Sequence, residues 1–309
     1  MRIGIKIGLS SGPETTVENL VNTAQQVEAK GFDSVWMPNI FGLDAISTLG
    51  VIGYGTRKVE LGTAVTPTYP RHPVAMAQQA LTTQAASSGR LVLGIGLSHK
   101  LVVEDMFGLS YDKPATHMEE YVQVLQALLT GEQVSHQGEE FRVNAGFKIE
   151  GASKPPVIVA ALGPRMLKIA GRLAEGTITW MTGAQTLASH IVPTITAAAS
   201  DAGKAPPRII AGLPVVLTDK PDEVREKIAE QLVIYGQLPS YKAMLEKEGA
   251  STPADIALVG NEAELRRQIQ SLRDAGVTDL NSAVMSFEDG QFERTVDFLA
   301  TELTTAAGK

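Results

Sequence analysis

No cysteine occurs in the 309 residues, which excludes disulfides, a thiol nucleophile, iron–sulfur ligation and cysteine-bound zinc together. Histidine is scarce too. His72, His99, His117, His136 and His190 are the whole set, and no two stand at the spacing that pairs metal ligands on one helix face, so no metal is expected. The net charge is −7 with no basic run, whereas nucleic-acid binding needs a concentrated cationic face. A few local cations would still serve a polyanionic cofactor. No apolar run approaches the ~20 residues of a membrane span, and the opening MRIGIKIGL is a strand pattern rather than a signal peptide. A cytoplasmic protein is expected.

What is present points to a large α/β domain. The hydrophobic fraction of 44% supports a sizeable core, and an α/β barrel of roughly 250 residues plus insertions accounts for the length as one domain, residues 1–309. The chain is organised around Glu60 to Lys100. Glu60 to Thr63 reads as a strand, and Pro67, Pro70 and Pro73 keep the following loop out of a helix. Pro73 suits a helix first turn, and Val74, Ala77 and Leu81 then fall at helical spacing. The helix stops at Ser87-Ser88-Gly89, and LVLGIG is a buried-strand run. That is one parallel βαβ unit.

The same alternation runs along the whole chain. Ile3 to Ile7 is a strand, followed by a Ser10-Ser11-Gly12-Pro13 turn and a helix ended by Gly31. FDSVWM is a strand leading to Pro38-Asn39, and Asp44 caps the next helix. After Gly96 comes an unusually long loop, the kind that serves a site. Then follow a helix from Met118 to Thr130 and a hairpin, EQVSHQGEEFRV. PPVIVAAL, GTITWM, RIIAGLPVVL and VTDLNSAVM supply four more strands, each with its helix. Pro193 should start or kink its helix, and Gly212 with Pro214 suggests a bulge. About eight strand–helix pairs favour a (β/α)8 TIM barrel over a doubly wound sheet, with insertion segments after strands 4 and 7.

The segment HPVAMAQQALTTQAASSGRLVLGIG resembles the bacterial luciferase-like monooxygenase superfamily, and the resemblance runs nearly end to end. Within it the chain looks most like the branch that uses the deazaflavin coenzyme F420, which includes methylenetetrahydromethanopterin reductase. The resemblance implies a TIM barrel and an oxidoreductase that passes a hydride to or from a small organic substrate. A homodimer is among the expectations, since members often pair through barrel helices. It also implies a bulge within Thr63 to Thr66, where members show a non-proline cis peptide. Many deazaflavin-dependent relatives carry an Asp-His pair after the second strand; Pro38-Asn39 stands here instead, which leaves Asn39 as a hydrogen-bonding group toward cofactor or substrate.

In a barrel the site lies at the C-terminal ends of the strands. His72, held before Pro73 with a near-neutral titration, joins Asn39 as a catalytic candidate, although the role of a helix-entry residue packing the loop suits it slightly better. Thr63, Ala64 and Val65 after the third strand, and Gly96, Leu97 and Ser98 after the fourth, are cofactor-binding candidates. Gly163, Pro164 and Arg165 open a helix whose positive end, with the arginine, would hold an anionic tail. Read alone, that turn is an ordinary glycine–proline helix start. Trp180 could wall a ring. Arg71 would pair with a tail or remain a solvated charge, and Arg90 falls on the opposite face. Gly94-Ile95-Gly96 lacks the third glycine of a dinucleotide fingerprint. Two rivals share these loops: an FMN-dependent monooxygenase fed by a separate flavin reductase, and a non-catalytic barrel that only binds a flavin or small ligand.

Overall fold

The computed structural model describes residues 1–9 and 15–304; the expected Ser10–Pro13 turn lies outside the described residues. In chain order the strands are β1 (Arg2–Lys6), β2 (Ser34–Met37), β3 (Glu60–Thr63), β4 (Thr66–Pro67), β5 (Leu91–Gly96), β6 (Val134–Gln137), β7 (Arg142–Ala145), β8 (Val157–Ala160), β9 (Gly176–Trp180), β10 (Arg208–Leu217), β11 (Leu258–Gly260) and β12 (Asp279–Val284). Eight of them, β1-β2-β3-β5-β8-β9-β10-β12, pair in parallel and close through β12 onto β1. This is the expected (β/α)8 barrel. Its first five wall helices are α1 (Val17–Ala29), α2 (Ala45–Gly55), α3 (Pro73–Ala86), α4 (Pro114–Leu129) and α5 (Pro164–Leu173). Next come α6 (Ala184–Thr186) and α7 (Val192–Asp201), then α8 (Pro221–Gln231), α9 (Val233–Gln237), α10 (Pro239–Glu248), α11 (Glu262–Asp274) and α12 (Gln291–Thr304).

Local chemistry sets the boundaries. Thr16, Asp44 and Asn261 each accept a backbone N–H of the first turn of α1, α2 and α11, the contact that makes these residue types good caps. Pro193 sits in the first turn of α7, directly after a π-helical turn at Leu187–Ile191, so its missing N–H falls where no regular helical bond is needed. The expected bulge at Gly212 and Pro214 is absent: β10 pairs with β12 without a break from Ile210 to Val215. On its other edge β10 pairs with β9 as far as Gly212 and with β11 from Val215. Pro214, which has no N–H to donate, stands where that edge changes neighbour.

Between β5 and β8 the chain adds the antiparallel β6–β7 hairpin, whose loop is tied to α4 by the Glu120 carboxylate accepting the N–H groups of Glu139, Glu140 and Phe141 at 2.8–3.0 Å. Between β10 and β12 lie α8, α9, α10, β11 and α11. The stretch 236–253 is largely the helix α10.

Each barrel strand divides its side chains between two interiors. Ile3, Ile5 and Ile7 point outward into the core shared with the helices. Trp36, Val92, Ile158, Ile178 and Ile210 fill the lumen. The Trp36 ring fits because two neighbours lack a side chain: a Cβ on Gly62 would lie 2.1 Å from its Cε3, and one on Gly4 would lie 2.9 Å from its Nε1. The indole N–H donates to Ser34 Oγ at 2.8 Å. Below this layer the strand beginnings carry a four-member charge cluster. Arg208 Nη2 lies 2.6 Å from Asp279 Oδ1 and 2.9 Å from Glu60 Oε1, with Arg2 3.2 Å from Glu60 and 3.5 Å from Asp279. Arg90, also at this end, donates to carbonyl oxygens of Gly53, Thr56 and Val59 and so fastens the end of α2.

Two stability effects are expected. Gly62→Ala forces a methyl into a rigid indole and should cost about 1–3 kcal/mol, read as a lower urea midpoint at unchanged slope. Arg208→Met leaves Asp279, whose side chain is 2% exposed, with the Thr278 hydroxyl at 2.6 Å and the more distant Arg2. A loss of about 3 kcal/mol is expected; an unchanged thermal midpoint would show that Arg2 and Thr278 together satisfy the carboxylate.

Candidate active site

A cavity of about 330 Å³ opens at the C-terminal ends of the barrel strands, within the size range of small-molecule sites. Its wall includes Lys6, Asn39, Ala64, Val65, Gly96, Leu97, Ser98, His99, Tyr111, Gly163, Trp180, Tyr235, Tyr241 and Asn281. A second, outer cavity of about 540 Å³ shares Ser98, His99, Tyr111 and Ser240 with it and extends along Lys100, Leu101 and Glu104. The two form a deep chamber and a vestibule.

Of the residues expected from sequence, Asn39, Ala64, Val65, Gly96, Leu97, Ser98, Gly163 and Trp180 line the chamber. The Ala64–Val65 peptide bond is cis, as the resemblance implied. Gly96 gives room to the neighbouring strand end rather than to open space, since a Cβ there would meet Val65 Cγ2 at 2.6 Å. Ser98 has a φ of 66°, one of the few left-handed non-glycine residues. Asn39 Oδ1 accepts the Ala45 N–H at 2.9 Å, so its amide NH2 is the end left to face the chamber.

Four expected residues lie outside that wall. Thr63 is fully buried and its hydroxyl donates to Gly94 O at 2.6 Å, a bond that fixes β3 against β5. His72 is the exposed N-cap of α3, its Nδ1 accepting from Val74 N at 3.3 Å. Pro164 and Arg165 form the first turn of α5, one and two residues beyond Gly163, and Arg165 is exposed with no ion-pair partner among the described residues. Arg71 is not a free solvated charge. It pairs with Asp44 and is largely covered.

The insertion between β10 and β12 supplies what sequence reading missed. Tyr235 and Tyr241 meet at 5.4 Å with rings nearly perpendicular, Tyr235 stands edge-on to Trp180 at 6.1 Å, and His99 approaches Tyr241 at 5.8 Å. These aromatic surfaces wall one side of the chamber. On the other side Tyr111 stacks on Tyr69, and Tyr69 on the buried His117, with centroids 5.3 and 4.0 Å apart. Burial lowers the His117 pKa to about 4, so it packs as a neutral ring with its Nε2 3.0 Å from Thr68 Oγ1.

The floor is polar and lacks carboxylates. Lys6 is 6% exposed, and its Nζ sits 3.6 Å from the centroid of the Trp180 ring. Burial alone lowers its pKa to about 7. Asn281 is fully buried, and among the described residues neither Oδ1 nor Nδ2 has a hydrogen-bond partner; the same holds for Trp180 Nε1. Buried polar atoms of this kind are rare unless something binds them. A flat ring system with polar edges fits such a chamber: aromatic faces for stacking, and unpartnered donors and acceptors for its rim. Among the described residues no cluster of side chains could hold a metal ion.

Comparison with known proteins agrees with this anatomy. The family model described as luciferase-like monooxygenase matches residues 1–279. A 5,10-methylenetetrahydromethanopterin reductase of Methanolobus tindarius is 29% identical over 281 residues, covering 88% of this chain and 83% of that protein. In fold, the chain matches an F420-dependent secondary alcohol dehydrogenase in complex with an F420-acetone adduct, with a TM-score of 0.83 at 19% identity over 100% of this chain and 99% of that one. It also matches the FMN-bound oxygenating constituent of 3,6-diketocamphane monooxygenase from Pseudomonas putida, with a TM-score of 0.77 at 16% identity over 99% and 98% of the two chains. The closed parallel barrel, the chamber at its mouth and a family match over most of the sequence lead to one conclusion: the chain belongs to the luciferase-like monooxygenase family.

Proposed function

We propose that this protein is an oxidoreductase that exchanges a hydride between coenzyme F420 and a small organic substrate in the chamber at the barrel mouth. The observation that carries the reading is the carboxylate-free, aromatic-walled chamber in a chain that aligns over most of its length with a 5,10-methylenetetrahydromethanopterin reductase and is similar over more than half of it to F420-dependent oxidoreductases. When bound, the deazaflavin supplies the two-electron chemistry, and the protein supplies placement and electrostatics. Ala64, Val65, Gly96, Leu97, Ser98 and Trp180 are the ring-holding residues in this reading, with Asn39 offering its amide N–H groups. Gly163 and the start of α5 take the anionic tail. The backbone N–H groups of that first turn carry the positive end of the helix dipole, although Pro164 contributes none, and Arg165 adds a full charge at the rim. His72 has no place in this chemistry. Its ring is used as a helix cap.

The decisive experiment is calorimetry with each cofactor in turn. F420 should bind more tightly than FMN; tight FMN binding with no detectable F420 binding would transfer the assignment to a flavin monooxygenase supplied by a separate reductase. Binding of either cofactor with no turnover of any substrate offered would support the non-catalytic barrel. Arg165→Ala should weaken F420 binding by about 1–3 kcal/mol, the range for a charged hydrogen bond. The thermal midpoint should not move, because the side chain is exposed. Unchanged affinity would show that the tail runs elsewhere.

A further inference from the structure

β1 alternates strictly, and closure of the barrel turns the face that carries Gly4 and Lys6 into the lumen. Lys6 therefore ends in the chamber floor, 6% exposed, beside the Trp180 ring and with no carboxylate among the lining residues. A lysine placed this way is not held by a structural ion pair. Asn281 shares the floor with both ends of its amide unpartnered. Its Nδ2 and Trp180 Cε3 both lie beside Gly212, 3.7 and 3.1 Å from where a Cβ would stand. Together these groups offer a donor that can change its protonation and an amide that can donate or accept, all buried and directed at one space.

We infer that Lys6 Nζ, assisted by the Asn281 amide, binds the reacting oxygen of a ketone or secondary alcohol substrate and carries the proton exchanged at that oxygen. The inference rests on the hydride-transfer function proposed above. In reduction, with bound reduced F420 as the hydride source for the carbonyl carbon, the C=O π pair would move to oxygen and the Lys6 ammonium would give that oxygen its proton; the amine would then recover one from water. Oxidation runs backward: neutral Lys6 takes the hydroxyl proton as the hydride leaves carbon for oxidised F420. Burial brings the lysine pKa to about 7, so both forms exist near neutrality, the condition under which a general acid–base is most effective.

Other titratable groups face the chamber. His99, on the loop after β5, is lowered by burial; Tyr111, from the following loop, and Tyr235 and Tyr241, from α9 and α10, are raised by burial. The strands flanking β1 bring only Pro38, Asn39, Ile40 and Asn281 to the wall from β2, its following loop and β12. Lys6 is thus the group expected to titrate near 7, with His99 below it and the tyrosines above.

The test uses the full chain loaded with F420 and, as probes, butanone and cyclohexanone for reduction and 2-butanol and cyclohexanol for oxidation. Wild-type protein should turn over at least one probe, with an inflection of kcat near pH 7. Lys6→Met should bind F420 within about threefold of wild type yet lose at least about 100-fold in kcat, and the inflection should vanish. Lys6→Arg keeps the charge but holds its proton, so it should retain KM and lose kcat. His99→Gln should keep the inflection. Independently of turnover, NMR of 15N-lysine-labelled wild-type protein should show one lysine titrating near 7, absent from Lys6→Met. A kcat for Lys6→Met within fivefold of wild type or no lysine titrating below about 9 would each overturn the inference while leaving the hydride-transfer reading standing, and F420 binding without turnover of any probe would overturn its ketone or secondary-alcohol substrate class. Failure of wild type to bind F420 would instead remove the reading on which it rests.

Discussion

The packing of one indole into the barrel lumen divides this molecule into a part that holds the fold and a part that does chemistry. Trp36 occupies the space that Gly4 and Gly62 leave open and, with Val92, Ile158, Ile178 and Ile210, makes a dry layer across the lumen. Beneath it the Arg2–Glu60–Arg208–Asp279 cluster closes the strand beginnings. Above it the lumen is no longer filled by large apolar side chains, and Lys6, Asn281 and Trp180 look into a chamber. The layer thereby sets the depth of the chamber and keeps its polar floor apart from the charges below.

Much of this was legible in the sequence because strands, turns and caps obey local rules. LVLGIG and RIIAGLPVVL are strands to the residue, and the loops after the second, third and fourth barrel strands do reach the chamber. Sequence reasoning placed residues by loop and could not resolve direction within a loop. Thr63 is adjacent to Ala64, yet its hydroxyl turns back to Gly94 O while Ala64 faces the chamber. His72 looked like a proton carrier on chemical grounds, but the residue before an N1 proline is also where a helix needs a cap, and the cap is what the structure gives.

The missed residues share a different cause. In MRIGIKIGL the alternation of isoleucine with Arg2, Gly4 and Lys6 is the signature of a strand with one face in a core and the other in water. A closed barrel has no watery face, so the second face becomes the lumen and its lysine is buried. Asn281 on β12 is hidden by the same logic. A reader committed to a barrel can recover this signal: polar residues on the minor face of a barrel strand, two or more positions from its start, belong to the lumen. Tyr235 and Tyr241 are harder. They come from the insertion before β12, whose α10 was not legible beside Pro239 and Pro253, and no local pattern says that an insertion folds back over the mouth.

A buried lysine without a counter-ion is also a statement about stability. Its pKa falls from an ordinary value of 10.5 to about 7, so the unfolded chain holds this proton more tightly than the folded one. The resulting destabilisation is full below about pH 7 and fades as the pH rises toward the ordinary lysine value. At neutral pH and below it is on the order of 5 kcal/mol, comparable with the whole net stability of many domains. The face of Trp180 at 3.6 Å favours the charged form, and the net cost that remains does not make the arrangement favourable for folding. A methionine of similar length would satisfy the same packing without the charge. The lysine is therefore unexplained by the fold and accounted for by a site that needs a proton it can both give and take.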